Sequence, residues 1–295
     1  MTKTPIFKGS CTAIVTPFCK SGIDFERFSE LMDFQYDNGT NALVVCGTTG
    51  ENATMSAYEH EELTDFACKY NNGRMKIIAG VGSNNTETAL KKAKSAKHFG
   101  ADGILMVTPY YNKTSQSGLY EHFTYVADRV DIPMILYNVP SRTGIGITAD
   151  TYERLSKHPN INGVKEASGD ITLFTNTRAR CGDALNIWSG NDDNTVPMMA
   201  MGALGVISVA SNLLPGVLAK VCSLCLDGDF TNASELYLRY AGLFHAFFIE
   251  TNPMPIKTAM NLCGKDVGEL RLPLTSMSEG NLIKLKEELH KCDIL

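Results

Sequence analysis

The sequence predicts an α/β protein, a (β/α)8 TIM barrel carrying a C-terminal helical extension. Three observations lead there. Eight short apolar runs, rich in β-branched residues, recur along the 295 residues. The runs are continuous rather than alternating, the pattern of strands covered on both faces, as in parallel sheets. Amphipathic segments of helical period lie between them, and such alternation builds parallel α/β folds. A doubly wound open sheet is the competing architecture; the number of strands favours closure.

The first two runs are "TAIVTP" (12–17) and "ALVVCG" (42–47). Between them Asp24 opens a helix with Phe25, Phe28, Leu31 and Met32 on one face and Gly39 beyond its end. Ser56 and Glu59 form a capping box ahead of Leu63, Phe66, Ala67 and Tyr70. "KIIAGVG" (76–82) follows, then a helix over 86–99 stopped by Gly100. "GILMVTP" (103–109) leads to a helix over 117–128 with Leu119, Tyr120, Phe123 and Val126 on one side. The next runs are "PMILYNVP" (133–140), "INGVKEAS" (161–168) and "NIWSGND" (186–192). Residues 195–219 carry no charge and are long enough to cross a bilayer. Pro197, Gly202, Gly205, Asn212, Pro215 and Gly216 divide them into a core helix, the eighth run "GVISVAS" (205–211) and a new helix. The barrel therefore occupies 1–225. Residues 226–295 form a helical region, built on "FTNASELYLRYAGLFHAFFIE" and "SEGNLIKLKEELHKC", that packs on the barrel without a flexible linker.

Composition narrows the function. Net charge is −5 with both signs mixed, and no basic stripe invites nucleic acid. Nine cysteines lack metal spacing, and "MTKTPIFKGS" lacks an apolar signal core. Free thiols, the cytoplasm and no membrane association are expected. Cys222 and Cys225, inside "VLAKVCSLCL", read as a buried helix face rather than a redox pair. The six histidines are dispersed, and no metal is expected.

In a barrel the chemistry sits where the strands end. Lys165 stands near the end of an apolar run. Burial disfavours an ammonium, and a neutral amine attacks a ketone to form a Schiff base. The alternative is an ion pair, for which neighbouring Glu166 points to the wrong face. Tyr137 ends the adjacent strand, either as a core tyrosine or as an acid/base beside the amine. "GTTGE" (47–51) is an ordinary strand–helix turn or a cradle for a small anion. Arg142 in "SRTG" is a surface arginine or a carboxylate clamp. "GIGITA" (144–149) fits a dinucleotide fingerprint, which would make the chain an oxidoreductase. Pro140 to Thr143 separate it from the strand, so the match reads as chance.

"GTTGE" (47–51), "YNVPSRTG" (137–144), "GVKEAS" (163–168) and "GVISV" (205–209) together resemble the dihydrodipicolinate synthase / N-acetylneuraminate lyase superfamily of pyruvate-dependent class I aldolases. The resemblance runs from about residue 6 to the end. Thr-Thr in the first motif and Arg-Thr-Gly in the second place the chain nearest the synthase branch. The resemblance implies condensation of pyruvate with aspartate semialdehyde, in lysine biosynthesis and without a cofactor. Lys165 then forms the Schiff base and Tyr137 is the acid/base, linked by Thr48 to Tyr111 supplied across a subunit interface. Thr49, Gly190 and Ile207 line the pyruvate pocket, and Arg142 holds the second substrate. A homotetramer, a dimer of dimers, is implied. An aldolase acting on a sugar acid is the near alternative; a barrel that only binds would leave Lys165 inert. Lysine-inhibited relatives bind lysine at the tight dimer interface, here Asn52, Ala53, Ala57, His60, Asn84, Thr88 and Tyr110. Asn84 and Tyr110 match. Ala57 and Thr88 stand where sensitive bacterial members tend to carry histidine and glutamate, so weak inhibition or none is implied.

Overall fold

The computed structural model describes residues 2–295. Eight parallel strands form a closed barrel: β1 (Gly9–Ala13), β2 (Ala42–Val45), β3 (Lys76–Gly80), β4 (Gly103–Val107), β5 (Met134–Asn138), β6 (Ile161–Glu166), β7 (Asn186–Ser189) and β8 (Gly205–Ser208). Each pairs with its sequence neighbours, and β1 closes on β8 through Cys11 opposite Ile207. The helices behind them are α1 (Phe25–Asp37), α2 (Ala57–Asn71), α3 (Thr86–His98), α4 (Gln116–Ala127), α5 (Ala149–Leu155), α6 (Ile171–Cys181), α7 (Thr195–Ala200) and α8 (Pro215–Leu226). Asp24 caps α1, and Ser56 and Glu59 form the expected capping box on α2. Cys222 and Cys225 lie buried on α8, and all nine cysteines are free thiols. Among the described residues no helix is long and apolar enough to cross a membrane.

The first strand corrects the sequence reading. It begins at Gly9, three residues before "TAIVTP", and ends at Ala13. Its Thr12 is satisfied behind the sheet, donating its hydroxyl to Gln35 Oε1 of α1 at 2.6 Å. The apolar run outlasts the strand because its loop is buried as well. There the Val15 N–H donates to Asn212 Oδ1 at 2.9 Å, and the Thr16 hydroxyl to the Gly50 carbonyl at 2.8 Å.

Two apolar layers result. Cys11, Val44, Ile78, Leu105, Ile135, Trp188 and Ile207 fill the barrel interior. Phe7, just ahead of β1, stacks on Trp188 at 4.8 Å and helps close the N-terminal end. The second layer, between strands and helices, includes Phe28, Leu63, Phe123, Tyr152 and Phe174. Beyond the barrel come α9 (Phe230–Leu238), α10 (Ala241–Ala246), α11 (Met254–Leu262) and α12 (Glu279–Lys291). The tail pattern 230–250 is thus broken into two helices at Arg239–Tyr240. Tyr237 ties α9 to the strand-end loops by donating to the Asp192 carbonyl at 2.9 Å.

Candidate active site

Strand alternation decides what Lys165 faces. On β6, Lys165 turns into the barrel and Glu166 into the layer behind it. Glu166 is fully engaged there. Tyr152 donates to its Oε2 at 2.7 Å, Asn138 Nδ2 to both oxygens at 3.1 Å, and the Ser168 N–H to Oε1 at 2.8 Å. Burial pushes the Glu166 carboxyl up, and these hydrogen bonds oppose the shift. Lys165 is only 4% exposed and, among the described residues, forms no ion pair with a carboxylate. Tyr137 lies directly opposite it across the β5–β6 pair, with the Lys165 Nζ 4.5 Å from its ring centroid.

Lys165 opens into a cavity of about 590 Å³ lined with Thr49, Tyr137, Arg142, Gly190 and Asn252. Gly190 has to be a glycine: a Cβ there would stand 2.6 Å from Ala167 Cβ and 3.0 Å from Lys165 Cγ. Asp192 is buried beside the loop after β8, accepting from the Val209 and Ala210 N–H groups at 3.1 and 2.9 Å. Burial pushes its carboxyl up, and the charge of Lys165 is among the influences opposing that. Ile207 is buried inside the barrel, whereas Val209, two residues on, lines the cavity.

An adjoining cavity of about 550 Å³ shares Val139, Arg142, Thr251 and Asn252 and takes in Thr48 and Tyr110. Asn52, Ala53, Ala57 and Thr88 also line it. Asn84 does not; its carbonyl accepts from Asn112 Nδ2 at 3.0 Å. His60 is not part of the lining either. It is buried behind, where Nε2 donates to the Gly80 carbonyl at 2.7 Å and burial holds its pKa down at about 4. Tyr111 is 91% exposed at φ +68 and lines neither cavity. "GIGITA" begins after the helical turn Pro140–Thr143, so no glycine joins β5 directly to a helix. Among the described residues no group of three or more His, Cys, Asp or Glu is arranged to hold a metal ion.

A buried amine beside a phenol at the C-terminal end of a closed barrel is the arrangement of a Schiff-base aldolase. Residues 6–292 match the model of the dihydrodipicolinate synthetase family. The chain belongs to that family. A 4-hydroxy-tetrahydrodipicolinate synthase from Thermoanaerobacter sp. strain X514 is 49% identical over 292 residues, covering 99% of this chain and 98% of that protein. One from Clostridium tetani is 48% identical over 285 residues, covering 96% of this chain and 97% of its own. The crystal structure of dihydrodipicolinate synthase from Aquifex aeolicus superposes with a TM-score of 0.95 at 47% identity, over 98% of this chain and 99% of that one.

Within this dihydrodipicolinate synthetase family fold, Asn252 is the residue that sequence reasoning missed. It is buried, donates Nδ2 to Thr49 Oγ1 at 3.0 Å, and accepts Arg142 Nη2 on its backbone carbonyl at 3.0 Å. Its Oδ1 is buried without a partner. Asn252 thus joins the loop after β2 to the loop after β5. No local motif marks it, because it comes from the extension, 203 residues beyond Thr49 and 110 beyond Arg142. Phe248, Ile249 and Glu250 from the same segment also line the Lys165 cavity.

Proposed function

We propose that this chain condenses pyruvate with L-aspartate 4-semialdehyde to 4-hydroxy-tetrahydrodipicolinate, on the route through diaminopimelate to lysine. The observation that carries the chemistry is Lys165, buried, without a carboxylate partner and packed on the Tyr137 ring. The neutral Nζ attacks C2 of pyruvate, and loss of water leaves a protonated imine. That imine withdraws electrons, so a proton leaves the methyl carbon to give an enamine. The enamine carbon attacks the aldehyde of the second substrate, whose oxygen takes a proton. The amine of aspartate semialdehyde then adds to C2, displaces Lys165 and closes the ring. Each step moves a proton near the amine, and Tyr137 is the group placed for it.

The other roles follow from position. Thr49 and Gly190 shape the pyruvate end of the cavity, while Ile207 supports it from below. Arg142 lines both cavities and takes the carboxylate of the second substrate. Thr48 lines the adjoining cavity, and Tyr111, exposed in the single chain, completes the proton path of a neighbouring subunit in a dimer of dimers.

Borohydride added with pyruvate is expected to trap an adduct that peptide mapping places on Lys165, and Lys165→Ala is expected to abolish it while staying folded. An adduct elsewhere, or none, overturns the assignment. Turnover of pyruvate with aspartate semialdehyde, run beside cleavage of N-acetylneuraminate, is expected to favour the first by orders of magnitude.

A further inference from the structure

The Lys165 cavity carries one carboxylate that the proposed steps do not use. Glu250, from the segment between α10 and α11, lines it beside Arg142 and Asn252. Its protein donors all fall on one oxygen. Oε1 accepts the Ser278 N–H at 3.0 Å, the Ser278 hydroxyl at 2.6 Å and Asn281 Nδ2 at 2.9 Å. Ser278 is the N-cap of α12, so these bonds anchor that helix and fix the carboxylate at the same time. Among the described residues Oε2 receives no donor, and no cation lies within salt-bridge distance of Glu250. The Ser278 hydroxyl above all, with help from Asn281, holds the Glu250 carboxyl low against the opposing pull of burial, so it is charged at neutral pH. The other ionisable side chains of the lining are Lys165, Tyr137 and Arg142. Arg142 Nη2 donates to the carbonyl of Asn252, which follows Glu250 by two residues. Two residues span at most about 7 Å. A guanidinium and a carboxylate with an unused oxygen therefore stand along one short stretch of wall.

We propose that Glu250 is a specificity-determining residue for the second substrate, its unused oxygen accepting the α-ammonium of L-aspartate 4-semialdehyde while Arg142 holds the α-carboxylate. This rests on the proposed function and adds to it the group that selects an amino aldehyde. Ammonium and carboxylate sit on one carbon of that substrate, so a cation and an anion meet an anion and a cation across the cavity wall. Each contact is a charge-assisted hydrogen bond. An aldehyde acid without the amine brings only a negative charge towards Glu250, which repels it. A sugar acid, with a hydroxyl in place of the ammonium, offers Glu250 a donor without the opposite charge.

The test reads binding apart from turnover. The full chain, its Lys165 carrying the borohydride-reduced pyruvate adduct, is titrated calorimetrically with two inert analogues of the second substrate. L-Homoserine keeps the ammonium and the carboxylate and has an alcohol in place of the aldehyde. 4-Hydroxybutyrate lacks only the ammonium. Failure to form the adduct counts against the proposed function and is seen before any titration. The unaltered chain is expected to bind L-homoserine about tenfold more tightly, the lower end for one charge-assisted hydrogen bond. Glu250→Gln keeps an acceptor for Ser278 and Asn281 but removes the charge, and there the two analogues are expected to bind within about twofold of each other. Arg142→Ala is expected to weaken both. In steady state Glu250→Gln is expected to raise KM for aspartate semialdehyde about tenfold and to leave KM for pyruvate unchanged. Damage to both substrates alike would mark Glu250 as an anchor of α12 only and overturn the proposal. Equal affinity of the unaltered chain for the two analogues overturns it whether or not the variant folds. So does a preference for L-homoserine that survives Glu250→Gln, which would place the ammonium on another acceptor.

Discussion

Lys165 and Glu166 are adjacent, yet one opens into the cavity of the proposed chemistry and the other is bonded into the layer behind the strands. The difference is the pleat of β6, which sends one into the barrel and one onto Tyr152 and Asn138. Arg142 and Asn252 carry the proposed substrate roles to a test. Arg142→Ala is expected to lower kcat/KM for aspartate semialdehyde by about ten- to a hundredfold, from loss of a charge-assisted hydrogen bond, with a smaller effect on pyruvate. Asn252→Ala removes the bond to Thr49 but keeps the backbone carbonyl under Arg142. Its expected effect is the converse, a pyruvate KM raised about fivefold for one lost neutral hydrogen bond. Steady-state kinetics with each substrate varied checks both, and equal damage to the two substrates in either variant would mark a packing role. His60 and His122 test the interior: burial lowers both from about 6.5 in the unfolded chain to about 4. The unfolded chain therefore binds protons first as pH falls. Their stabilisation is complete above about pH 6.5 and is lost down to about 4, at most about 3 kcal/mol each. Thermal midpoints across that range are expected to fall, and His60→Gln is expected to flatten the slope.

Among elements, the extension and the loop after β2 are locked by a buried pair. Lys257 of α11 donates to Glu51 Oε1 at 2.8 Å, to the Glu269 carbonyl at 2.8 Å and to the Thr16 carbonyl at 3.1 Å. Glu51 itself sits at φ +56, a left-handed conformation unusual outside glycine, and is held there in part by that ammonium. Removing one partner strands a buried charge. Lys257→Met is expected to cost about 3–5 kcal/mol. At about 2 °C per kcal/mol for a chain of this size, that lowers the thermal midpoint by about 6–10 °C. Adding Glu51→Gln is expected to recover part of the loss, and calorimetry of the single and double variants reads the coupling. A double variant no better than Lys257→Met would show the pair to be weakly coupled.

For the whole molecule, Tyr111 is the residue a single chain leaves unexplained: a large aromatic, almost fully exposed, in a backbone conformation that costs about 1–3 kcal/mol. The proposed completion of a neighbour's site would account for both features. Inactive Lys165→Ala and inactive Tyr111→Phe chains are expected to regain activity when mixed and allowed to exchange, since a hybrid pair contains one intact site. Verified hybrids without activity would place Tyr111 outside the mechanism.

How much of this was legible in the sequence follows from how local each cause is. Strand and helix period, the caps at Asp24 and Ser56, and the alternation that separates Lys165 from Glu166 are properties of neighbouring residues. They carried the barrel and its central amine directly. The first strand was misplaced because the Thr12 hydroxyl is satisfied by Gln35 and its apolar run continues into a buried loop, both consequences of packing. Asn252 at Thr49, Lys257 at Glu51 and Ser278 at Glu250 were invisible for the same reason. Each is an ordinary side chain on its own segment and gains meaning only when the chain folds a distant partner against it. Sequence alone therefore determined the fold class and singled out the lysine around which the proposed chemistry is built. Tertiary structure decided which cations are spent and which are free, because hydrogen bonding and desolvation depend on proximity in space rather than along the chain.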